Sequence, residues 1–146
     1  MLSVFWDSTG VIYWELVDRT VSSEVYCAQI DRVSEVLFDL GREEPVIFLH
    51  DNASSHTAKL TKKKLDDLGL EVLPHPPYSP DMAPSDFHLF TSLKGWLKGK
   101  RFSDVEEAKD AVQEYFDSKP VEFYARGFSK LPDIWEEIIA LDGDYI

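Results

Sequence analysis

A short apolar segment that runs directly into a carboxylate constrains the fold of this 146-residue chain more than any other feature. Residues 46–49 read Val-Ile-Phe-Leu, and His50, Asp51 and Asn52 follow without a break. An apolar run of this length without polar alternation predicts a strand that is covered on both faces. Because open α/β sheets gather functional groups beyond the carboxyl ends of their strands, the segment predicts an α/β fold with Asp51 at the tip of a central strand.

A second carboxylate, Asp86, stands at the start of a predicted helix. The apolar residues of that helix recur at helical spacing, at Phe87, Phe90, Leu93 and Leu97. Two carboxylates held by rigid elements suit a divalent cation such as Mg²⁺, which prefers oxygen ligands. Ser85 and Asp86 also fit an N-cap at a helix start, and Asp51 also fits an Asx turn after a strand. The residues alone therefore leave a metal site and local capping both open.

Two motifs around these aspartates resemble motifs of the mariner family of DNA transposases. Residues 50–58 read His-Asp-Asn-Ala-Ser-Ser-His-Thr-Ala, and residues 78–90 read Tyr-Ser-Pro-Asp-Met-Ala-Pro-Ser-Asp-Phe-His-Leu-Phe. The resemblance covers essentially the whole chain, from the Phe-Trp-Asp of the first predicted hairpin to the closing Asp-Gly-Asp-Tyr-Ile. It implies an RNase H-like mixed sheet flanked by helices, with Asp51 and Asp86 as two of the family's three catalytic, metal-binding carboxylates.

The same resemblance implies chemistry on DNA. In the family, Mg²⁺ or Mn²⁺ ions held by the carboxylates support phosphodiester hydrolysis and strand transfer. The family's first strand and its aspartate have no counterpart in this sequence. The resemblance therefore implies a truncated catalytic domain, residues 1–146 as a single domain, that is inactive on its own. The alternative is a non-catalytic, domesticated remnant that serves as a protein-interaction or weak DNA-binding module.

Several polar residues near the two motifs are further candidates. Asn52, His56 and His88 are candidates for the edge of the site or for DNA contact, and so are the lysines at 62–64 (Lys62, Lys63 and Lys64). Each has an ordinary structural explanation as well. Histidines are often satisfied by local hydrogen bonds, and three lysines are common on the solvated face of a helix. Both explanations stay open.

The charge of the chain bears on its partners. The net charge is −12, which opposes strong binding to duplex DNA, because affinity for DNA depends on neutralising phosphates. Residues 56–101 are an exception, with eight basic against five acidic residues. We therefore expect weak DNA binding by this chain alone, and we regard a homodimer as its candidate assembly.

Composition also bears on the compartment. No apolar run is long enough to span a membrane, and the single cysteine, Cys27, fits a reducing compartment without a disulfide framework. We expect no membrane partner and no small-molecule cofactor. Together with the resemblance, these features predict a nuclear protein.

The remaining pattern predicts alternating strands and helices. Residues 2–6 and 11–17 predict a hairpin, and residues 70–73 predict a short strand. Predicted helices cover residues 22–40, 56–68, 103–116, 120–127 and 131–141. Ser22 is the predicted N-cap of the first helix, and Ser103 with Glu106 forms a predicted capping box. The aromatic residues of the hairpin, Trp6, Tyr13 and Trp14, fit either packing on the sheet or a base-stacking platform.

Overall fold

The computed structural model describes residues 2–18, 20–42, 46–50, 53–72, 84–129 and 132. Its strands are β1 (Leu2–Asp7), β2 (Gly10–Leu16), β3 (Val46–Phe48) and β4 (Leu70–Val72). Its helices are α1 (Ser23–Asp39), α2 (Ser54–Thr57), α3 (Lys59–Asp67), a π-helical segment (Ser85–Phe90), α4 (Thr91–Leu97), α5 (Val105–Ser118) and α6 (Val121–Ser129). The helix predicted over 131–141 lies outside the described residues, apart from Pro132. No helix in the described part of the chain is long and apolar enough to cross a lipid bilayer.

The chain forms two compact units. The first comprises Met1–Phe5 and Ile12–Tyr78, and the second comprises Trp6–Val11 and Ser79–Ile146. The tip of the β1–β2 hairpin therefore belongs to the second unit, while the rest of the hairpin belongs to the first. The single domain over residues 1–146 stays a prediction, since two compact units can form one domain.

The predicted hairpin is present, and its turn is held by one carboxylate. Asp7 Oδ1 accepts a hydrogen bond from the backbone N–H of Thr9 at 2.8 Å and another from the Thr9 hydroxyl at 2.6 Å. Gly10 follows with a φ of 140°, a backbone conformation that residues with a Cβ rarely adopt. These two features explain why the chain reverses between Asp7 and Gly10.

The strand before Asp51 forms a parallel pair with β4, in which Val46 lies opposite Leu70 and Phe48 lies opposite Val72. Val46 and Phe48 pack against the core of the first unit, whereas Ile47 is 65% exposed. The expectation of a strand covered on both faces is wrong here, because alternate residues point to opposite faces and only one face meets this core. The expectation of a central strand is also wrong within the described residues, where β3 has β4 as its one neighbour.

Helix α1 supplies half of the central cluster in the first unit. Tyr26 and Ile30 of this helix cluster with Leu65 of α3 and Leu70 of β4, and all four side chains are at most 8% exposed. Ser22 caps the helix as predicted, because its side chain accepts a hydrogen bond from the backbone N–H of Val25 at 3.2 Å. The cap sets where α1 starts, and the apolar stripe sets which face it buries.

A buried amide ties α1 to both strands of the hairpin. Gln29 is 1% exposed, and its Nε2 donates to Glu15 Oε2 at 2.8 Å and to Ser3 Oγ at 3.1 Å. Ser3 lies on β1 and Glu15 lies on β2. Because one NH₂ group has two donors, a single side chain can bond an acceptor on each strand.

The single helix predicted for residues 56–68 is two shorter helices, α2 and α3. Ala58 separates them with φ −58° and ψ 148°, which is not helical. Thr61 Oγ1 donates to the backbone carbonyl of Ser55 at 2.5 Å across this break. Neither glycine nor proline stands at the break, so the sequence pattern carried no signal for it.

The second unit has a largely aromatic core. Its buried apolar side chains are Leu89, Leu93, Val112, Tyr115, Phe116, Phe123 and Tyr124. Helix α5, which supplies three of them, starts one residue later than predicted. Asp104 is its N-cap and accepts from the backbone N–H of Glu107 at 2.8 Å, while the Glu107 carboxylate accepts from the N–H of Ser103 at 2.9 Å. The capping box predicted for Ser103 and Glu106 is therefore wrong: Asp104 caps the helix, and the Glu107 carboxylate bonds the N–H of the residue before the cap instead of that of the cap itself.

Alkaline pH is expected to destabilise the second unit through Tyr124. Burial, and then the nearby Tyr115 and Asp117, raise the pKa of Tyr124 from 10.0 to about 12, and its hydroxyl donates to the carbonyl of Phe116 at 2.9 Å. The folded state therefore holds this proton more tightly than the unfolded state. The stabilisation is complete below pH 10 and is lost as the pH rises towards about 12.

The measurement is the urea midpoint of the wild type and of Tyr124→Phe at pH 8, 10 and 11. We expect the midpoint of the variant to fall less steeply with pH than that of the wild type. If the urea midpoints of the two proteins depended equally on pH, groups other than Tyr124 would cause the loss of stability at alkaline pH.

Candidate functional site

The two aspartates of the motifs have different positions in the described structure. Asp51 and Asn52 lie outside the described residues, between His50 and Ala53, which are both described. Asp86 is the second residue of the π-helical segment, and its side chain is outside the description. The structure therefore describes the surroundings of each aspartate separately, those next to Asp51 in the first unit and those of Asp86 in the second.

A stack of aromatic rings fixes the chain just before Asp51. Tyr26 Oη and His50 Nδ1 share a hydrogen bond of 2.9 Å. The His50 and His56 rings are nearly parallel, at 4°, with centroids 4.8 Å apart, and the Tyr26 ring lies 4.1 Å from that of His56. Phe48 meets His50 edge-on at 5.1 Å. His56 therefore packs in this stack, and its role at the edge of a site stays a prediction.

The start of α2 adds backbone hydrogen bonds next to this ring stack. The backbone N–H groups of His56 and Thr57 both donate to the carbonyl of Ala53, at 2.9 and 3.1 Å. Ala53 follows Asn52 directly, so the chain is fixed on both sides of Asp51. The stacked rings and the helical turn thus hold the described residues on either side of positions 51 and 52.

The helix that carries Asp86 begins with a wide turn. Residues Ser85–Phe90 are π-helical, and Pro84 occupies the N-cap position without a side-chain hydrogen bond. Ser85 is therefore not the N-cap that its sequence position also allowed. Its hydroxyl instead accepts a hydrogen bond from Trp6 Nε1 at 2.9 Å. π-Helical turns are rare, and they often occur at functional sites.

His88 is bound into the second unit by its ring nitrogen. Its Nε2 lies 2.6 Å from the backbone carbonyl of Phe123, and its ring centroid lies 4.4 Å from that of the Phe123 ring. The Trp6 ring stacks on the His88 ring, with their centroids 6.4 Å apart. Its centroid also lies 4.8 Å from that of the Phe128 ring. Trp6 is therefore a packing residue, which is one of the two interpretations that the sequence allowed. The proposed contact of His88 with substrate stays a prediction.

The three lysines of α3 differ in their partners. Lys63 Nζ lies 3.2 Å from Asp67 and Lys64 Nζ lies 3.1 Å from Asp31, whereas Lys62 is exposed and makes no ion pair within the described part of the chain. Ion pairs this exposed contribute roughly 0–1 kcal/mol, so they do not prevent a lysine from binding a phosphate instead. The DNA contact of all three lysines stays a prediction.

The chemistry of the donors fits a hard divalent cation. Asp51 and Asp86 supply carboxylate oxygens, which Mg²⁺ and Mn²⁺ prefer. Over the described ranges, no group of three or more His, Cys, Asp or Glu side chains is arranged to hold a metal ion. The side chains of the two aspartates are outside the described ones, so their role as ligands stays a prediction.

Sequence reasoning missed two residues that shape these surroundings. Tyr26 lies in the first turn of α1, where an apolar stripe gives no indication of a hydrogen bond to a residue 24 positions away. Gly127 was taken as the end of a helix, yet it lies within α6 against Trp6 and His88. Its small size next to large aromatic residues was the one available signal.

Comparisons with known proteins show which class of protein this chain resembles. The family described as transposase (partial DDE domain) matches residues 1–45. The mariner Mos1 transposase of Drosophila mauritiana is 46% identical over 153 residues, which cover 100% of this chain and 44% of that protein. Human histone-lysine N-methyltransferase SETMAR is 39% identical over 152 residues, which cover 99% of this chain and 22% of that protein.

Solved structures agree with these relatives. The Mos1 transposase catalytic domain with raltegravir and Mn superposes with a TM-score of 0.94 at 45% identity, covering 99% of this chain and 76% of that one. The Mos1 paired-end complex with the left transposon end gives a TM-score of 0.93 at 47% identity, covering 99% of this chain and 44% of that one.

The class is thus an α/β catalytic domain of the RNase H-like type, as the motifs implied. The chain belongs to the mariner transposase family and corresponds to part of its catalytic domain. It spans less than half the length of the full-length relatives that it matches.

Proposed function

We propose that this chain supplies Asp51 and Asp86 as ligands for Mg²⁺ or Mn²⁺ in a mariner-type reaction on DNA. The observation that carries the proposal is the 45% identity over 99% of the chain to a catalytic domain that was solved with Mn. The bound cation would activate the attacking oxygen and stabilise the leaving oxygen of a phosphodiester. The protein's part is to hold the two carboxylates, through the ring stack at His50 and the π-helical segment at Asp86.

The proposed substrate is DNA and the proposed compartment is the nucleus. The relative solved with a transposon end supports the substrate, and the basic residues of 56–101, Lys62 among them, offer phosphate contacts. With a net charge of −12, the chain alone should bind DNA weakly. A homodimer is the proposed assembly. We expect this polypeptide by itself to cleave DNA poorly, because the family resemblance accounts for two of three carboxylates here.

The test is a Mn²⁺ titration followed by amide NMR on the wild type, Asp51→Asn and Asp86→Asn. Mn²⁺ should broaden the amide signals near both aspartates, at His50, Ala53, Ser85 and Phe87. Substitutions around a metal site weaken binding by about 10–100-fold even when they do not remove a ligand. We therefore expect each variant to weaken Mn²⁺ binding by at least about tenfold.

The matched control is Asp110→Asn, which removes an exposed aspartate from α5. It should leave the titration unchanged. Broadening that is equal in the wild type and in both site variants would show that Mn²⁺ binds elsewhere, and it would contradict the assignment of the ligands.

A second candidate is a non-catalytic module that keeps the fold for protein contacts or weak DNA binding. It is favoured by one relative, whose name describes a histone-lysine methyltransferase and which contains a segment 39% identical to this chain. A segment of this type therefore also occurs in a protein named for another activity. A dispersed spectrum without selective broadening at the two aspartates would favour this candidate.

A further inference from the structure

Contacts from residues outside both motifs converge on the first turn of the helix that carries Asp86. Trp6, from the hairpin tip, donates its Nε1–H to Ser85 Oγ at 2.9 Å across 79 positions of sequence. Ser85 directly precedes Asp86, so this bond fixes the backbone one residue from the proposed ligand. Trp6 and the π-helical segment both belong to the second compact unit.

A second bond holds the same turn from the side of α6. His88 Nε2 lies 2.6 Å from the carbonyl of Phe123, which can only accept, so His88 carries a proton on Nε2. The two bonds flank Asp86, one at the residue before it and one two residues after it. Neither can be satisfied in the same way if the turn changes its register.

Gly127 allows α6 to approach these two rings. A Cβ on this residue would lie 2.7 Å from Trp6 Cη2 and 2.9 Å from His88 Cδ2, distances that real Cβ atoms essentially never show. Trp6 and His88 therefore occupy the space that a side chain at position 127 would need. We call Trp6, His88 and Gly127 the hairpin clasp.

The clasp coincides with the π-helical part of the helix, whereas the next turns, Thr91–Leu97, are α-helical. A π-helical turn bonds residue i to residue i+5, so each residue in it is displaced relative to an α-helix. Because such turns are rare within α-helices, contacts from outside the helix are the candidate reason that this one is retained.

We propose that the hairpin clasp holds the backbone of Asp86 in π-helical register and thereby sets the affinity of this carboxylate for the divalent cation. We call the effect on cation affinity the metal half of this inference and the effect on the backbone its backbone half. The metal half rests on the proposed function, while the backbone half does not. The three residues act as positioning residues through Asp86. A ligand held near its binding geometry before the cation arrives loses less conformational freedom on binding, which strengthens binding.

The test compares Trp6→Phe and Ser85→Ala, which remove the donor and the acceptor of one hydrogen bond, with the double variant. Amide hydrogen exchange measured by NMR reports the backbone. Loss of one hydrogen bond should make the amides of residues 89 and 90, the first that can bond within the π-helical segment, exchange roughly 2- to 13-fold faster, without a change at residues 29–33 of α1. The dissociation constant for Mn²⁺ should rise by a similar factor in each single variant, and the double variant should show little further change.

The matched control is Trp96→Phe, which changes a tryptophan of α4. The Trp96 ring centroid lies 5.5 Å from that of Tyr115, and Lys100 Nζ lies 4.4 Å from the same Trp96 centroid. The substitution should leave exchange at residues 89 and 90 unchanged. If Trp6→Phe and Ser85→Ala behave like Trp96→Phe, the clasp does not hold the turn and the proposal is overturned.

The metal readout separates this inference from the proposed function. If exchange increases while Mn²⁺ affinity is retained, in a protein whose Mn²⁺ binding needs Asp86, the positioning role is rejected and the proposed function stands. If the wild type shows no Mn²⁺ binding that depends on Asp86, the proposed function is rejected together with the metal half, and the exchange rates then confirm or overturn the backbone half by themselves.

Discussion

Replacing Gly127 with alanine is expected to lower the free energy of unfolding by about 1–3 kcal/mol, the usual cost of inserting a methyl group into a packed site. The new Cβ would meet Trp6 Cη2 at 2.7 Å and His88 Cδ2 at 2.9 Å. Both rings are held by hydrogen bonds, Trp6 to Ser85 and His88 to Phe123, so neither can move aside freely. Urea unfolding followed by circular dichroism measures the change.

Gly95→Ala is the matched control, because it makes the same substitution within a helix of the same unit. A Cβ at Gly95 would have no neighbour within 4 Å, and its backbone does not have a positive φ. Removing a glycine from a helix interior should therefore raise the free energy of unfolding by up to about 1 kcal/mol. The two substitutions are therefore expected to change the free energy of unfolding in opposite directions. A Gly127→Ala protein as stable as Gly95→Ala would show that α6 shifts to accommodate the methyl group.

Replacing Ile30 with alanine is expected to have the largest effect on stability, a loss of about 2–5 kcal/mol in the free energy of unfolding. Ile30 is 0% exposed and lies in the cluster of Tyr26, Leu65 and Leu70. The substitution removes buried apolar area and leaves a cavity between α1, α3 and β4, so both terms act in the same direction. The urea midpoint of the first unit, read from the amide signals of α1, measures the loss.

Phe38→Ala serves as the control on the same helix. Phe38 is 84% exposed, so its removal should change the free energy of unfolding by no more than about 0.5 kcal/mol, although it deletes a larger side chain. Ile30→Val should fall between the two, at about 0.5–1.5 kcal/mol. A Phe38→Ala loss equal to that of Ile30→Ala would show that Phe38 is covered in solution.

Much of the local structure could be predicted from the sequence because its causes are local. Ser22 caps α1, and Asp7 and Gly10 form the turn of the hairpin, since each needs only neighbours within three residues. The motifs around Asp51 and Asp86 led to the RNase H-like fold and to the mariner family, which the comparisons confirm. The metal ligands themselves stay a prediction.

The errors arose where distant residues compete with local preferences. The break at Ala58 depends on a bond from Thr61 to Ser55, for which no sequence signal exists. The cap of α5 moved from Ser103 to Asp104, because two adjacent residues could each start the helix. Ile47 looked like a core residue in an apolar run, but strand alternation turns it away from the cluster that buries Val46 and Phe48.

The sequence by itself, through the resemblance that its two motifs carry, led to the family and the class of fold, and it predicts the two aspartates as ligands. Only the tertiary structure decided what surrounds each aspartate. Tyr26 reaches His50 from α1, and Trp6 reaches Ser85 across 79 positions, while the size of Gly127 matters only because two rings lie beside it. Contacts between residues so far apart follow from how elements pack, and packing is set by shape in three dimensions, which spacing along the chain does not encode.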